Sequence, residues 1–313
     1  MGLVMESHPS SKDFTLHRLG EGVYTAIADD GGLAICNAGA VDLGDQVLVF
    51  DTFVNQHAAA DFRDMIMDLL RKPITFVVNS HFHSDHVKGN QAFEGAKIVA
   101  TSKTREAMAQ SKKRYDAGSE SMRKEIQKDL DSRIAHPEDP DSVLFEGYDK
   151  GHLDGLSTLN YTLPDVTFED RMTFNGTKRK AEVITYGGGH TVSDAFLYLP
   201  EDRIAFMGDL LFVGCHPYIA DGNPEELFRI FDRIEALDAP VLVPGHGAVG
   251  SPEDIDSNRQ YVELLQTIAA EVRASGGGLD QAVQAPISAP FGKWKWRSFQ
   301  KDNLEFLFQK ASK

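Results

Sequence analysis

The sequence predicts an α/β protein built as a layered sandwich, two β-sheets with helices on their outer faces, and three observations carry that expectation. Strand-like runs come in groups instead of alternating strictly with helices, which disfavours a doubly wound sheet. Helical stretches follow each group at amphipathic spacing. A charge-rich helical insertion and a short aromatic tail stand outside this pattern. The composition is 42% hydrophobic and 25% charged, with 27 Gly and 13 Pro, which is ordinary for a folded chain and leaves ample material for a core.

The first fifty residues read as short strands at 22–27, 33–37 and 46–50, separated by turns such as Asp30-Gly31-Gly32 and Leu43-Gly44-Asp45. Over 55–70 the apolar residues Phe62, Met65, Ile66, Leu69 and Leu70 recur at helical spacing, and Pro73 marks the exit. A buried strand follows at 74–78. Residues 102–135 favour a long charged helix, closed by the turn signal His136-Pro137-Glu138-Asp139-Pro140. Strands resume at 159–168, 172–174, 181–186, 195–199 and 203–207, helices are expected at 224–237 and 252–274, and a strand at 241–243 lies between them. The expected organisation is a catalytic domain over 14–275, with the insertion at about 102–157. A C-terminal extension, 276–313, opens on Gly276-Gly277-Gly278, carries Trp294, Trp296 and Phe299, and packs back on the domain. No internal repeat of fixed period is visible.

The formal charge of −15, from 47 acidic against 32 basic side chains, repels phosphate backbones and anionic membrane surfaces, so neither nucleic acid nor membrane is an expected partner. The basic strip Lys112-Lys113-Arg114 has acidic neighbours and reads as a solvated helix face. Cys36 and Cys215 are too few and too far apart for a disulfide framework or a C-x-x-C site. Residues 1–13 have neither the basic head nor the apolar run of a signal peptide, so a reduced, cytoplasmic setting is expected.

The sharpest signal is Asn79-Ser80-His81-Phe82-His83-Ser84-Asp85-His86. If strand-like alternation continues past the buried strand, His81, His83 and Asp85 share one side and a turn swings His86 toward them. Imidazoles with a carboxylate form a mixed N/O set suited to zinc, iron and related metals. A histidine-rich loop without metal explains one or two such residues far better than three plus an aspartate. Three further residues each follow a glycine, just after an apolar run: His190 in Gly187-Gly188-Gly189-His190-Thr191, Asp209 in Gly208-Asp209, and His246 in Pro244-Gly245-His246-Gly247. Alone, each is more often a structural turn residue than a ligand.

Together these positions resemble the metallo-β-lactamase superfamily, whose H-x-H-x-D-H signature is matched at His81, His83, Asp85 and His86 and whose later positions, in order, are matched at His190, Asp209 and His246. The resemblance spans roughly residues 20–250. It implies a four-layer αβ/βα sandwich and two divalent metal ions, zinc first, with iron or manganese as alternatives. His81, His83 and His190 would hold one ion and Asp85, His86 and His246 the other, with Asp209 bridging. It also implies a hydroxide shared by the two ions that attacks the carbonyl of an ester, thioester or lactone, with Asp85 orienting it and passing its proton to the leaving group. An anionic tetrahedral intermediate would be stabilised by the metal charge.

Asp209 favours the branch containing glyoxalase II-like thioesterases, lactonases and ribonuclease Z over the antibiotic-degrading enzymes, which commonly replace it. The run 207–214 resembles glyoxalase II, whereas Lys301-Asp302 is too common a pair to imply a glutathione site. Quorum-signal lactonases use a tyrosine shortly after this aspartate; here Phe212 stands nearby, with Tyr218 further on. Phe212, His216 and Tyr218 are candidates to contact a small-molecule substrate, His216 having a buried structural role as its equal alternative. The insertion and the aromatic tail suit a cap over the site or a homodimer interface, and both readings stay open. The rival functions are a mononuclear-iron persulfide dioxygenase-like enzyme, a β-lactamase, a phosphodiesterase and a non-catalytic metal scaffold. Flavodiiron oxygen reductases are disfavoured because His83 stands where they carry glutamate.

Overall fold

A computed structural model of the chain describes residues 6–7, 11–139 and 141–310. Most of the 1–13 segment read for a leader, Pro140 of the predicted turn and residues 311–313 of the tail lie outside the described residues. The first sheet runs in chain order through β1 (Glu6–Ser7), β2 (Phe14–Gly20), β3 (Val23–Ala28), β4 (Ala38–Asp42), β5 (Val47–Phe50), β6 (Ile74–Val78), β7 (Lys97–Thr101) and β8 (Val166–Phe168). It is antiparallel as far as β5 and parallel from β5 to β8. The second sheet contains β9 (Arg171–Asn175), β10 (Lys180–Gly187), β11 (Asp194–Leu199), β12 (Ile204–Val213) and β13 (Val241–Gly247). Its spatial order is β13-β12-β11-β10-β9, and only the β12–β13 pair is parallel.

The two sheets face each other across Val41, Leu48, Phe50, Val78, Val183, Leu197, Phe206 and Val243, all buried. On the outer face of the first sheet, α1 (Gln56–Leu70) presses Phe62 and Ile66 against Phe14, Phe53 and Val77. On the outer face of the second, Ile230 and Phe231 of α5 (Pro224–Glu235) and Tyr261 and Leu265 of α6 (Pro252–Ala274) cover Phe196 and Met207. The architecture is thus an α/β sandwich of helix, sheet, sheet and helix layers. Among the described residues no helix is long and apolar enough to cross a membrane.

Local chemistry sets the helix limits. Asn55 caps α1 by accepting from the amides of His57 and Ala58, and Arg71, at φ 53°, ends it in the left-handed region. Asn223 and Pro224 start α5, and Pro252 starts α6, where the Asp254 carboxylate accepts the Ser251 amide at 2.9 Å. The insertion is two helices: a long one (Ser102–Ala135) kinked at Gly118, and a second (Ser142–Leu156) whose Asp149 accepts from Arg133 of the first at 2.7 Å. With a one-turn helix at Ser84–Val87 counted as α2, these are α3 and α4. Beyond α6, α7 (Leu279–Val283) and α8 (Ser298–Lys310) bury Ala282, Leu304 and Leu307 in the cluster that holds Tyr261 and Leu265.

Several elements differ from expectation. Residues 33–37 are not a strand: Ile35 takes φ 74°, and the chain turns here before β4 begins at Ala38. Strands β2 and β7 were not anticipated, and most of 159–168 is irregular up to Val166. The largest difference is in β12, which does not stop at Met207 but continues through Gly208 and Asp209 to Val213. Its register with β13 shifts on both sides of Gly208, so the glycine marks a bulge inside a strand. Gly208 takes φ 52°, and a Cβ there would lie 2.6 Å from the Ser80 Cβ. Gly208→Ala therefore combines left-handed backbone strain with overpacking and is expected to destabilise by about 2–4 kcal/mol. Chemical denaturation checks this, and an unchanged midpoint would contradict the need for glycine at the bulge.

Candidate metal centre

The signature residues meet at one edge of the two sheets, some on loops and others within strands. After β6 the chain passes through His81 and His83 into α2, so Asp85 and His86 are delivered by a helical turn and not by strand alternation. His190 sits on a glycine loop folded around Asp194, whose Oδ2 accepts the amides of Gly189 and His190 at 2.8 Å each. Asp209 lies on the β12 bulge and His246 near the end of β13.

These residues converge as two groups, His81, His83, His190 and Asp209, and Asp85, His86 and His246; within each, one donor atom per residue lies within 4.8 Å of the others. Asp209 faces both groups. Its Oδ2 is 3.2 Å from His190 Nε2 and 3.8 Å from His81 Nε2, while its Oδ1 is 3.1 Å from His86 Nε2 and 3.4 Å from His246 Nε2. Asp85 Oδ2 lies 3.3 Å from His246 Nε2.

Each imidazole is held from behind. His190 Nδ1 meets the Tyr218 carbonyl at 2.8 Å and His246 Nδ1 the Ile35 carbonyl at 3.2 Å. A carbonyl only accepts, so both Nδ1 atoms carry the proton, and a neutral ring then turns a lone pair inward at Nε2. His86 Nδ1 faces Asp51 Oδ2 at 2.8 Å, His81 Nδ1 faces Ser80 Oγ at 2.9 Å, and His83 Nε2 faces Asp221 Oδ2 at 2.9 Å. The same arrangement orients histidines that bind metals. His81 Nε2, His86 Nε2 and Asp209 Oδ1 are buried without a hydrogen-bond partner, although the last two are only 3.1 Å apart. Inward lone pairs and unpartnered carboxylate oxygens of this kind fit divalent cations.

Charge follows the same logic. Burial drives His81 and His190 down, toward neutral imidazole. Burial acts likewise on His86 and His246, but neighbouring acidic groups outweigh it: His86 is raised beside Cys36, Asp209, Asp85 and Asp51, and His246 is pushed up to about 9 by Asp209 and Asp85. Burial opposes charge on Asp85 and Asp209 too, yet the neighbouring histidines hold both carboxyls below the usual range. Protons thus occupy part of the metal-free centre at neutral pH.

Sequence reasoning missed the residues behind the ligands. Asp51 closes the apolar run of β5 in a left-handed conformation, φ 60°, and its carboxylate accepts the Ser80 amide at 2.8 Å as well as holding His86. An acid directly after four buried strand residues was the available signal. Asp221, in Ala220-Asp221-Gly222, looks like any turn residue. Cys36 donates to the Asp85 carbonyl at 2.9 Å, and burial pushes its thiol up to about 12, so it supports the ligand loop as a neutral group.

A cavity of about 290 Å³ opens onto the centre, lined in part by His83, Asp85, His190, Asp209 and His246. Tyr218 lines it too. Phe212 does not: it is buried and stacks on the His246 ring at 5.2 Å and 19°. His216 is also buried elsewhere, its Nδ1 paired with Tyr261 Oη at 2.7 Å, and Cys215 packs with Leu144 and Trp296.

Asp51→Asn keeps the shape and tolerates the left-handed backbone but weakens the acceptor behind His86; metal affinity, measured against a competing chelator, is expected to fall about 10- to 100-fold. A second expectation follows from His246. Metal must displace the proton its raised pKa retains, so zinc titrated into metal-free protein at pH 7 releases at least about one proton per chain, and the release shrinks above pH 9–10. The sign implies that acid weakens metal binding. Proton-neutral loading at pH 7 in weakly buffered solution would refute it.

Comparison with known proteins agrees with this geometry. The sequence profile described as "Metallo-beta-lactamase superfamily" matches residues 31–246. A hydroxyacylglutathione hydrolase from Maricaulis maris (strain MCS10) is 27% identical over 168 residues, a match spanning 52% of this chain but only 44% of that protein. A metallo-beta-lactamase type 2 from Bacteroides fragilis is 21% identical over 272 residues, 83% of this chain and 90% of the relative. The solved structure of a metallo-beta-lactamase from Pontibacter korlensis superposes with a TM-score of 0.52 at 20% identity, over 83% of this chain and 99% of that one, and so shares the fold. With the profile covering most of its length and the full donor set assembled at one edge, the chain belongs to the metallo-beta-lactamase superfamily.

Proposed function

We propose that the chain hydrolyses a small, uncharged-carbonyl substrate, an ester, thioester or lactone, at a centre holding two divalent metal ions, zinc in the first place. The observation that carries this reading is the pair of donor groups sharing Asp209, with each histidine fixed from behind so that its inner nitrogen is a free donor. His81, His83 and His190 would hold one ion, Asp85, His86 and His246 the other, and Asp209 both. Such a pair supplies Lewis acidity and lowers the pKa of water toward neutrality.

The chain's own groups complete the chemistry. Asp85 reaches the cavity as a carboxylate, drawn down by His86 and His246 against the effect of burial, and is placed to orient a water and carry its proton to the leaving group. The cavity suits a small molecule better than a polymer. Asp209 as the shared ligand, in place of a thiolate, supports acyl-ester chemistry over β-lactam cleavage, and one relative is named for hydrolysing a hydroxyacylglutathione.

The test is a panel of esters, thioesters, lactones, β-lactams and phosphodiesters on enzyme of measured metal content, with His83→Ala and Asp209→Ala. Each substitution is expected to lower turnover by more than roughly 100-fold, beyond the loss typical of an outer partner. Undiminished turnover in either variant removes the mechanism, and one iron per chain with oxygen uptake would replace hydrolysis by oxygenation.

A further inference from the structure

Five aromatic rings from distant parts of the chain stand around the cavity: Phe145 and Tyr148 of α4, Tyr218 after β12, and Trp296 and Phe299 of the C-terminal segment. They form one wall. Phe145 meets Trp296 edge-on at 4.8 Å, Trp296 stacks on Phe299 at 5.5 Å and 15°, and Phe299 meets Tyr218 at 5.1 Å. Trp296 also lies 5.5 Å from the His246 ring, so the wall reaches down to the metal centre.

A single carboxylate fastens the two peripheral pieces. Buried Asp141, at the start of α4, accepts the Trp296 amide at Oδ1 (2.9 Å) and the Ser298 amide at Oδ2 (3.1 Å). It holds Trp296 in a left-handed conformation, φ 62°, that a large side chain rarely adopts.

The wall's charge is one-sided. No lysine or arginine is among the described residues lining the cavity, whereas Asp221 stands at its rim. An anionic acyl group placed against these rings would lose its hydration with no lysine or arginine among the described lining residues to pair, while a flat apolar group would bury its faces.

Resting on the hydrolase reading above, we infer that this wall is the acyl pocket, that it selects uncharged, flat apolar acyl groups over anionic ones, and that Asp141 is the positioning residue that sets it. The probes are acetohydroxamate, benzohydroxamate and the monohydroxamate of succinic acid, whose common chelating head anchors at the centre so that only the acyl group differs. Binding to metal-loaded protein is measured by calorimetry. Benzohydroxamate is expected to bind about tenfold or more tightly than acetohydroxamate, and the succinyl compound no more tightly than acetohydroxamate.

Phe299→Ala is expected to shrink the benzoyl preference to within about threefold. Asp141→Ala should do the same at undiminished metal content, and Asp141→Asn, which keeps one acceptor oxygen, should restore part of the preference. Should Asp141→Ala fail to fold, Phe299→Ala decides. Tightest binding of the succinyl compound, or an unchanged preference in Phe299→Ala, overturns the inference. Turnover of the matching phenyl esters separates the two readings: no turnover with the benzoyl preference intact sinks the hydrolase reading alone, and turnover without that preference sinks this one.

Discussion

Everything at the functional edge depends on one constraint: five imidazoles, four of them buried and His83 partly so, are gripped by acceptors on their outer nitrogens and so turn their inner nitrogens toward two buried carboxylates. The carbonyls of Tyr218 and Ile35 decide this for His190 and His246, because a carbonyl leaves the ring no choice of tautomer. His83 Nδ1 lies 3.0 Å from His190 Nε2, a contact between two lone pairs whenever both outer nitrogens hold the protons. Such an arrangement is stable only with positive charge between the groups, supplied by protons or by metal. The raised His86 and His246 show the proton alternative, and the unpartnered His81 Nε2 and Asp209 Oδ1 show where it falls short.

That constraint explains irregularities that would otherwise look like defects. Ile35 and Asp51 are non-glycine residues with positive φ, and each presents an acceptor to a ligand histidine. The turn at 33–37 also binds the sheets together: the Asn37 amide donates to the Gly245 carbonyl at 2.7 Å, and its side chain donates to the Pro244 and Gly247 carbonyls at 2.9 Å each. His246 is thereby tied to the first sheet although its strand belongs to the second. Gly245 must be glycine for a related reason, since a Cβ there would lie 1.9 Å from Asp209 Oδ1.

What could be read in the sequence is what depends on neighbours along the chain. His81 to His86 lie within one loop and helical turn, so their spacing displays their purpose. Ser102–Ala135 and Pro252–Ala274 were predicted with the limits observed, because caps, prolines and charge mark helix ends locally. The extent of β12 was hidden, since Gly208 carries the mark of a turn in sequence and acts as a bulge only because β13 runs beside it. The outer acceptors were hidden more deeply: Asp221 is far in sequence from His83, and a backbone carbonyl has no residue identity to read. Phe212 and His216 were plausible by proximity to Asp209, but proximity along a buried strand says little about facing a cavity. Phe212 went beneath His246 and His216 into the packing around Tyr261.

The division of labour between centre and wall follows from where each is built. The centre uses strand ends locked by both sheets and by buried acceptors, and such a site tolerates little displacement. The wall uses α4 and the C-terminal segment, which lie outside the two-sheet core and meet it through packing and the Asp141 bonds. Aromatic contacts are broad in angle and modest in energy, so the wall can vary in shape at small cost to the ligands. Their meeting point is His246, with Phe212 flat against its ring and Trp296 at 65° to it. A shift of Trp296 therefore reaches the centre through a ligand already clamped at Nδ1 by the Ile35 carbonyl, and that clamp lets substrate choice be set at the periphery while the donor geometry stays in place.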